Sequence, residues 1–255
     1  MSYVRLEGIE EKSTLYPLRI AFSFLASAGG LSFVAALIYV KQGTEKQAYV
    51  ATLSVLINFV AAYHYREMIR VRTEEKVSND SEWKMGALRH SDWAVTMPLL
   101  ILKLYALTDN HDHDLLLGTV DLSALLACVM VLLGAYVRLG LDELAGWDDM
   151  TDLERLLGPA CYLLSWAILV LLLIDLCQAH SGFDNAAMVY AFFLVWPCYG
   201  VAACLAAWAR SGKKHYPKTI GLTKDVVYSG LDVFSKAVFA WYTSSAAFGV
   251  SVLGS

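Results

Sequence analysis

Charged residues are scarce in this sequence. They make up 17% of the chain, against about 25% in soluble domains. That shortage argues against a water-soluble fold. Cysteine is sparse too. Cys128, Cys161, Cys177, Cys198 and Cys204 all fall inside apolar runs, where they read as small apolar fillers. They form neither a disulfide framework nor a metal-ligand spacing. The first 16 residues lack the basic start and apolar core of a signal peptide, so no cleavable leader is expected. A net charge of −4 says little about partners. No nucleic-acid partner is expected.

What the chain has in abundance is apolar sequence, 57% of its residues. It is bunched into seven stretches, at about 17–41, 47–68, 86–107, 116–138, 157–178, 186–209 and 225–251. Each is near or above the ~20 residues that a helix needs to cross a bilayer. The fold class expected is an all-α membrane protein, a seven-transmembrane helix bundle, as one domain over residues 1–255. Membrane lipid is its first expected partner. The segment from Arg66 to Lys84 is so charged that it reads as a long solvated loop.

One cation breaks the last apolar run. Lys236 lies in Gly230-Leu-Asp-Val-Phe-Ser-Lys-Ala-Val-Phe-Ala240, with Asp232 one turn earlier on the same face. A lysine in the middle of a membrane helix is costly and marks a functional site by default. Two readings are open for the pair: a structural ion pair, or a lysine whose amine carries a carbonyl cofactor as a Schiff base.

The third stretch is the other informative one. Arg89, Asp92, Thr96, Leu100 and Lys103 are spaced by 3, 4, 4 and 3, which puts all five on one helical stripe. Its charged members must face the bundle interior or water. Pro98 bends this helix and frees a carbonyl. Elsewhere, Ala26 to Gly30 permit close helix packing in the first stretch. His64 lies in the second, as a hydrogen-bonded core residue or a partner to a charge. Met130 and Gly134 fall in the fourth. Trp196 and Tyr199 sit mid-span in the sixth, where they pack inside or line a cavity. Asp121 reads as a boundary carboxylate. Asn110-His-Asp-His-Asp114 offers two histidines, an incomplete metal site. It reads as a solvated turn, and no metal is expected.

Four of these motifs together resemble the microbial (type 1) rhodopsins. Arg89-His-Ser-Asp-Trp-Ala-Val-Thr-Met-Pro-Leu-Leu is similar to their third helix, and Asp232-Val-Phe-Ser-Lys236 to their seventh. Trp196-Pro-Cys-Tyr199 resembles their sixth-helix retinal clamp. Val60-Ala-Ala-Tyr-His-Tyr65 is similar to the second helix of proteorhodopsins. The motifs fall in the right order on the right helices, and the resemblance covers all seven spans.

The resemblance implies a set of roles. Lys236 would bind all-trans retinal as a protonated Schiff base. Asp92 would be counterion and proton acceptor, and Asp232 the second carboxylate. Arg89 would sit on the release side, and Thr96 would bond near Asp92. Trp93, Trp196 and Tyr199 would enclose the polyene, with Leu100, Met130 and Gly134 along it. An apolar Leu100 implies green rather than blue absorption. His64 would bond Asp92 and make pumping sensitive to pH. Light would turn the N–H, weaken the ion pair and send the proton to Asp92. A homo-oligomer is implied; a carotenoid antenna is left open.

Lys103 departs from the main pump pattern, which has a carboxylate eleven residues after the acceptor. It resembles the Exiguobacterium rhodopsin type, where a lysine stands in that place and aids proton uptake. A desolvated lysine can relay a proton; alternatively, Lys103 snorkels to the surface and uptake comes directly from water. Chloride and sodium pumps need other residues at positions 92, 96 and 103. A light-driven proton pump, not an enzyme, is therefore expected, with a sensory photoreceptor as the alternative.

The loops conflict with the expected orientation. The resemblance implies an outside N-terminus and outward pumping. Yet Arg5, Lys12, Arg66, Arg70, Arg72, Lys76, Lys84, Arg138, Arg155, Arg210, Lys213, Lys214, Lys218 and Lys224 cluster on the N-terminal side, with Lys41 and Lys46 opposite. The positive-inside rule would put the N-terminus inside, and protons would then move inward or through a channel-like path.

Overall fold

In a computed structural model of the chain, residues 3–75, 78–107, 119–137, 151–179, 186–210 and 218–245 are described. Every regular element among them is helical. The helices are α1 (Tyr3–Gln42), α2 (Glu45–Glu74), α3 (Asn79–Ala106), α4 (Val120–Ala135), α5 (Asp152–Ala179), α6 (Ala186–Arg210) and α7 (Lys218–Asp232). The seventh rod continues through a π-helical turn, Val233–Val238, into α8 (Phe239–Ser245). This is the expected seven-helix bundle. The loop with His111 and His113 lies outside the described residues. No metal-ligand cluster occurs among those described.

Polar caps set the helix starts. Thr44 and Gln47 form a capping box on α2, Ser78 and Ser81 one on α3, and Thr119 accepts from Leu122 N–H at the start of α4. Each satisfies backbone donors that the first turn leaves free. Consecutive helices pack side by side, and the seventh rod returns to α1, which closes a ring. Alanines line that closure: Ala21, Ala28, Ala61, Ala237 and Ala240 are buried together. Small side chains let the backbones approach. Gly29 shows this directly, since a Cβ there would stand 3.0 Å from the Phe59 ring. Gly30 faces open space.

The outer surface is apolar. Phe33, Leu37 and Val40 on α1, Leu163 on α5 and Leu194 and Leu205 on α6 are all exposed. A continuous apolar exterior on a helical bundle is a lipid-facing surface. α1, α2 and α5 are long and apolar enough to cross a membrane by composition alone. α3 and the seventh rod carry their charges inward.

The segment from Arg66 to Lys84 is not a solvated loop. α2 runs on to Glu74 and α3 begins at Asn79. Arg72 is 4% exposed and Glu82 is fully buried. The reason is pairing, which a linear charge count does not reveal. Arg72 bridges Glu82 and Asp225, and Lys224 Nζ stands 3.3 Å from Glu82 Oε2. Gly221 lets α7 come this close, because a Cβ there would lie 2.8 Å from Glu82 Oε1. Breaking a buried pair leaves an uncompensated charge. Glu82→Gln is therefore expected to destabilise the protein by about 3–5 kcal/mol, read as a lowered thermal-unfolding midpoint.

Candidate functional site

Lys236 sits on the π-helical turn, buried, with its ammonium between two carboxylates. It pairs with Asp92 Oδ2 from α3 and, at 3.1 Å, with Asp232 Oδ1 on its own helix. The stripe on α3 is inward as its spacing predicted: Arg89, Asp92, Thr96, Leu100 and Lys103 are all buried.

The two carboxylates differ in how fully they are used. Asp232 is the better-satisfied anion. Tyr65 OH donates to its Oδ2 at 2.8 Å, and Tyr199 OH to its Oδ1 at 2.9 Å. Trp93 Nε1 reaches Oδ1 at 3.3 Å. Asp92 receives Lys236 on Oδ2, while its buried Oδ1 has no donor among the described residues. Asp232 is hydrogen-bonded on both oxygens, whereas Asp92 keeps one oxygen without a donor among the described residues.

The expectation for His64 is met differently here, and Thr96 bonds beside Asp92. His64 does not bond Asp92; its Nδ1 lies 2.9 Å from Val60 O on its own helix, and its ring stands edge-on to Tyr63. Thr96 donates to the Asp92 backbone carbonyl at 2.9 Å. Tyr65, next to His64, instead reaches the other carboxylate, Asp232. The sequence reading missed it, although one residue along a helix turns a side chain by about 100°.

Arg89 turns away from Asp92. It pairs with Asp225, and its guanidinium lies 5.2 Å from the centroid of the Tyr228 ring. Asp225, Tyr228, Arg72 and Glu82 were not recognised in the sequence as parts of the site. Only contact across helices marks them.

Beside Lys236 lies a cavity of about 430 Å³. Trp93, Met97, Met130, Gly134, Trp166, Trp196 and Tyr199 line it near the lysine. It continues past Tyr162 and Tyr228 to Gly86, His90, Glu154 and Lys224. Trp196 is held edge-on to Phe192, and Trp93 to Tyr199 and Tyr228. Gly200 is required on the far wall, because any Cβ there would overlap the Trp166 ring. Leu100 is not among the lining residues; it packs in the core with Leu104, Ile101 and Phe239. A mostly apolar, aromatic-walled cavity with a buried amine at one side fits a long apolar carbonyl compound joined to Lys236.

In the other half of the bundle, Leu53, Ile57, Leu100, Leu104 and Phe239 belong to one buried apolar cluster, which closes that half among the described residues. Lys103 is buried in that half, its ammonium 4.0 Å from the Phe239 ring centroid. That is a cation–π contact, not an escape to the surface. Tyr105 and Ser123 both donate to the buried Asp175, joining α3, α4 and α5.

A family model described as "Bacteriorhodopsin-like protein" matches residues 17–249. Among solved structures, the rhodopsin of Exiguobacterium sibiricum is 20% identical, with a TM-score of 0.67 over 93% of this chain and 98% of its own. A light-driven proton pump from Leptosphaeria maculans is 18% identical, with a TM-score of 0.63 over 93% and 96%. The light-driven proton pump of Coccomyxa subellipsoidea is 19% identical, with a TM-score of 0.64 over 92% and 96%. At these identities the likeness is one of fold. No curated protein sequence matches.

Proposed function

The chain belongs to the bacteriorhodopsin-like family, a family of retinal-binding membrane proteins, and from that premise we propose that it is a light-driven proton pump carrying all-trans retinal on Lys236. The observation that carries the proposal is the unequal pair of carboxylates around one buried amine. Retinal, joined as a Schiff base at Lys236 Nζ, supplies a light-driven isomerisation that re-aims the N–H at that nitrogen. The chain's own residues do the rest. Trp93, Met130, Trp196 and Tyr199 confine the ligand. Asp232, held by Tyr65, Tyr199 and Trp93, keeps the amine positively charged in the dark. Asp92 takes the proton on Oδ1.

From Asp92 the open half of the bundle offers the way out. Arg89 is drawn aside by Asp225 and Tyr228. The cavity reaches His90 and Glu154 near the N-terminal ends of α3 and α5. Reprotonation comes from the closed half, with Lys103 as relay. The buried ammonium there rests on the Phe239 ring, and no carboxylate among the described residues pairs with it. One open and one closed half separate a pump from a continuous channel. The lysine in the donor place supports the Exiguobacterium-type reading over a carboxylate-donor cycle.

Direction follows from orientation. With the N-terminus outside, exit by the N-terminal ends of α3, α5 and α7 makes the pump outward. The positive-inside tally weakens in support of this, because Arg72 and Lys224 are withdrawn into buried pairs. The test is the sign of the light-induced pH change outside cells whose membrane orientation is fixed. External acidification that a protonophore abolishes is expected. Alkalinisation would make the pump inward, and no change would point to a photosensor.

A further inference from the structure

The closed half contains one polar side chain that the proposed cycle does not use. Asn58 on α2 is 0% exposed. Its Nδ2 donates to Ser54 O at 2.9 Å, and its Oδ1 has no donor among the described residues. The amide cannot simply be turned over, because Oδ1 would then face a carbonyl oxygen. An acceptor is left in an apolar core, where such groups are nearly always satisfied. On the neighbouring helix, Lys103 has the opposite need. Its ammonium carries three donors and no acceptor, and no described residue accepts a hydrogen bond or forms an ion pair with it.

The two groups stand at the same height in the bundle. Tyr65 bonds Asp232, which fixes α2 against the seventh rod at that level. Asn58 lies seven residues from Tyr65 along α2. At about 1.5 Å per residue that is about 10 Å, and two turns return it to the same inward face. Phe239 lies seven residues from Asp232 in the same direction of travel, and its ring carries the Lys103 ammonium. α2 packs against α3, the π-helical turn and α8. An unsatisfied acceptor and an unsatisfied donor therefore share one layer of the closed half, between Lys236 and the far end.

We propose that Asn58 Oδ1 is a positioning group for proton uptake, holding a water that joins it to the Lys103 ammonium. The inference rests on the relay reading of Lys103. In the step, Lys103 gives one proton to this water, and further waters carry one on to the Lys236 nitrogen, each passing a proton as it receives one. The water is unchanged, Lys103 is left as a neutral amine, and solvent reprotonates it. Asn58 accepts one hydrogen bond from the water throughout and fixes where its other hydrogen points. Without that acceptor the water keeps only the Lys103 donor, and nothing fixes its orientation.

Two measurements on the retinal-bound protein test this. The first is the rate of the late, reprotonating step after a flash. Lys103→Ala and Asn58→Leu are each expected to slow it about 10- to 100-fold, and the double variant no more than the slower single one. The second is the infrared carbonyl band of Asn58 in the dark, assigned with labelled asparagine and by its loss in Asn58→Leu. It is expected to shift in Lys103→Met, which keeps the length of the side chain but not the donors. A merely structural Asn58 would leave that band in place. If Asn58→Leu does not fold, Asn58→Thr takes its place in both assignments. A wild-type rate in Asn58→Leu beside a slow Lys103→Ala would overturn the inference and spare the relay. An unmoved carbonyl band would do the same. A wild-type rate in Lys103→Ala overturns the relay reading, and the inference falls with it.

Discussion

Lys236→Ala is expected to yield a protein that stays colourless with retinal and gives no light-driven pH change. The amine is a nucleophile in the wall of the cavity and stands between two carboxylates. Alanine removes the attachment point entirely. It also leaves Asp92 and Asp232 facing each other without a cation, at a cost of about 3–5 kcal/mol. Loss of colour could then reflect unfolding. Lys236→Ala combined with Asp92→Asn removes one negative charge and restores the balance. That double variant is expected to fold and still to remain colourless. A visible absorption band in either protein would overturn the assignment of Lys236.

Asp92→Asn is expected to keep colour but lose transport by at least about 100-fold, the usual contribution of a positioned proton acceptor. Asp232 cannot take over. Its two oxygens already accept from Tyr65, Tyr199 and Trp93 besides Lys236. Three of those donors share Oδ1 and the fourth holds Oδ2, so a proton settling there would compete with them. Absorption is expected to move to the red, because the positive charge localised at Lys236 loses its closest anion. The measurements are the visible spectrum and the light-induced pH change of cell suspensions. A pH change of normal size in this variant would move the acceptor role away from Asp92.

The parts of this molecule legible in its sequence are those fixed by short-range periodicity. Arg89, Asp92, Thr96, Leu100 and Lys103 share a face because a helix turns once in 3.6 residues, and all five are buried. Asp232 and Lys236 are neighbours for the same reason. What spacing does not fix is height against another helix. Leu100 is on the inward stripe yet stands outside the cavity wall. His64 is on the right helix but bonds Val60, and Tyr65 takes the carboxylate. Arg72 and Glu82 were illegible for another reason. Each looks like a solvated charge until its partner is known, and Asp225 and Lys224 lie more than 140 residues away. Burial of a charge depends on pairing, which local sequence does not report.

The π-helical turn at Val233–Val238 limits which length changes this chain can tolerate. Such a turn holds one residue more than an α-helix would. Deleting any one residue within it would give a more regular helix and a useless one. Everything beyond would rotate by about 100° relative to Asp232. Phe239 would leave the Lys103 ammonium, and Ser244 would leave Ser32, which it meets at 3.2 Å. Substitution can explore this segment residue by residue, but an insertion or deletion moves every contact beyond it at once.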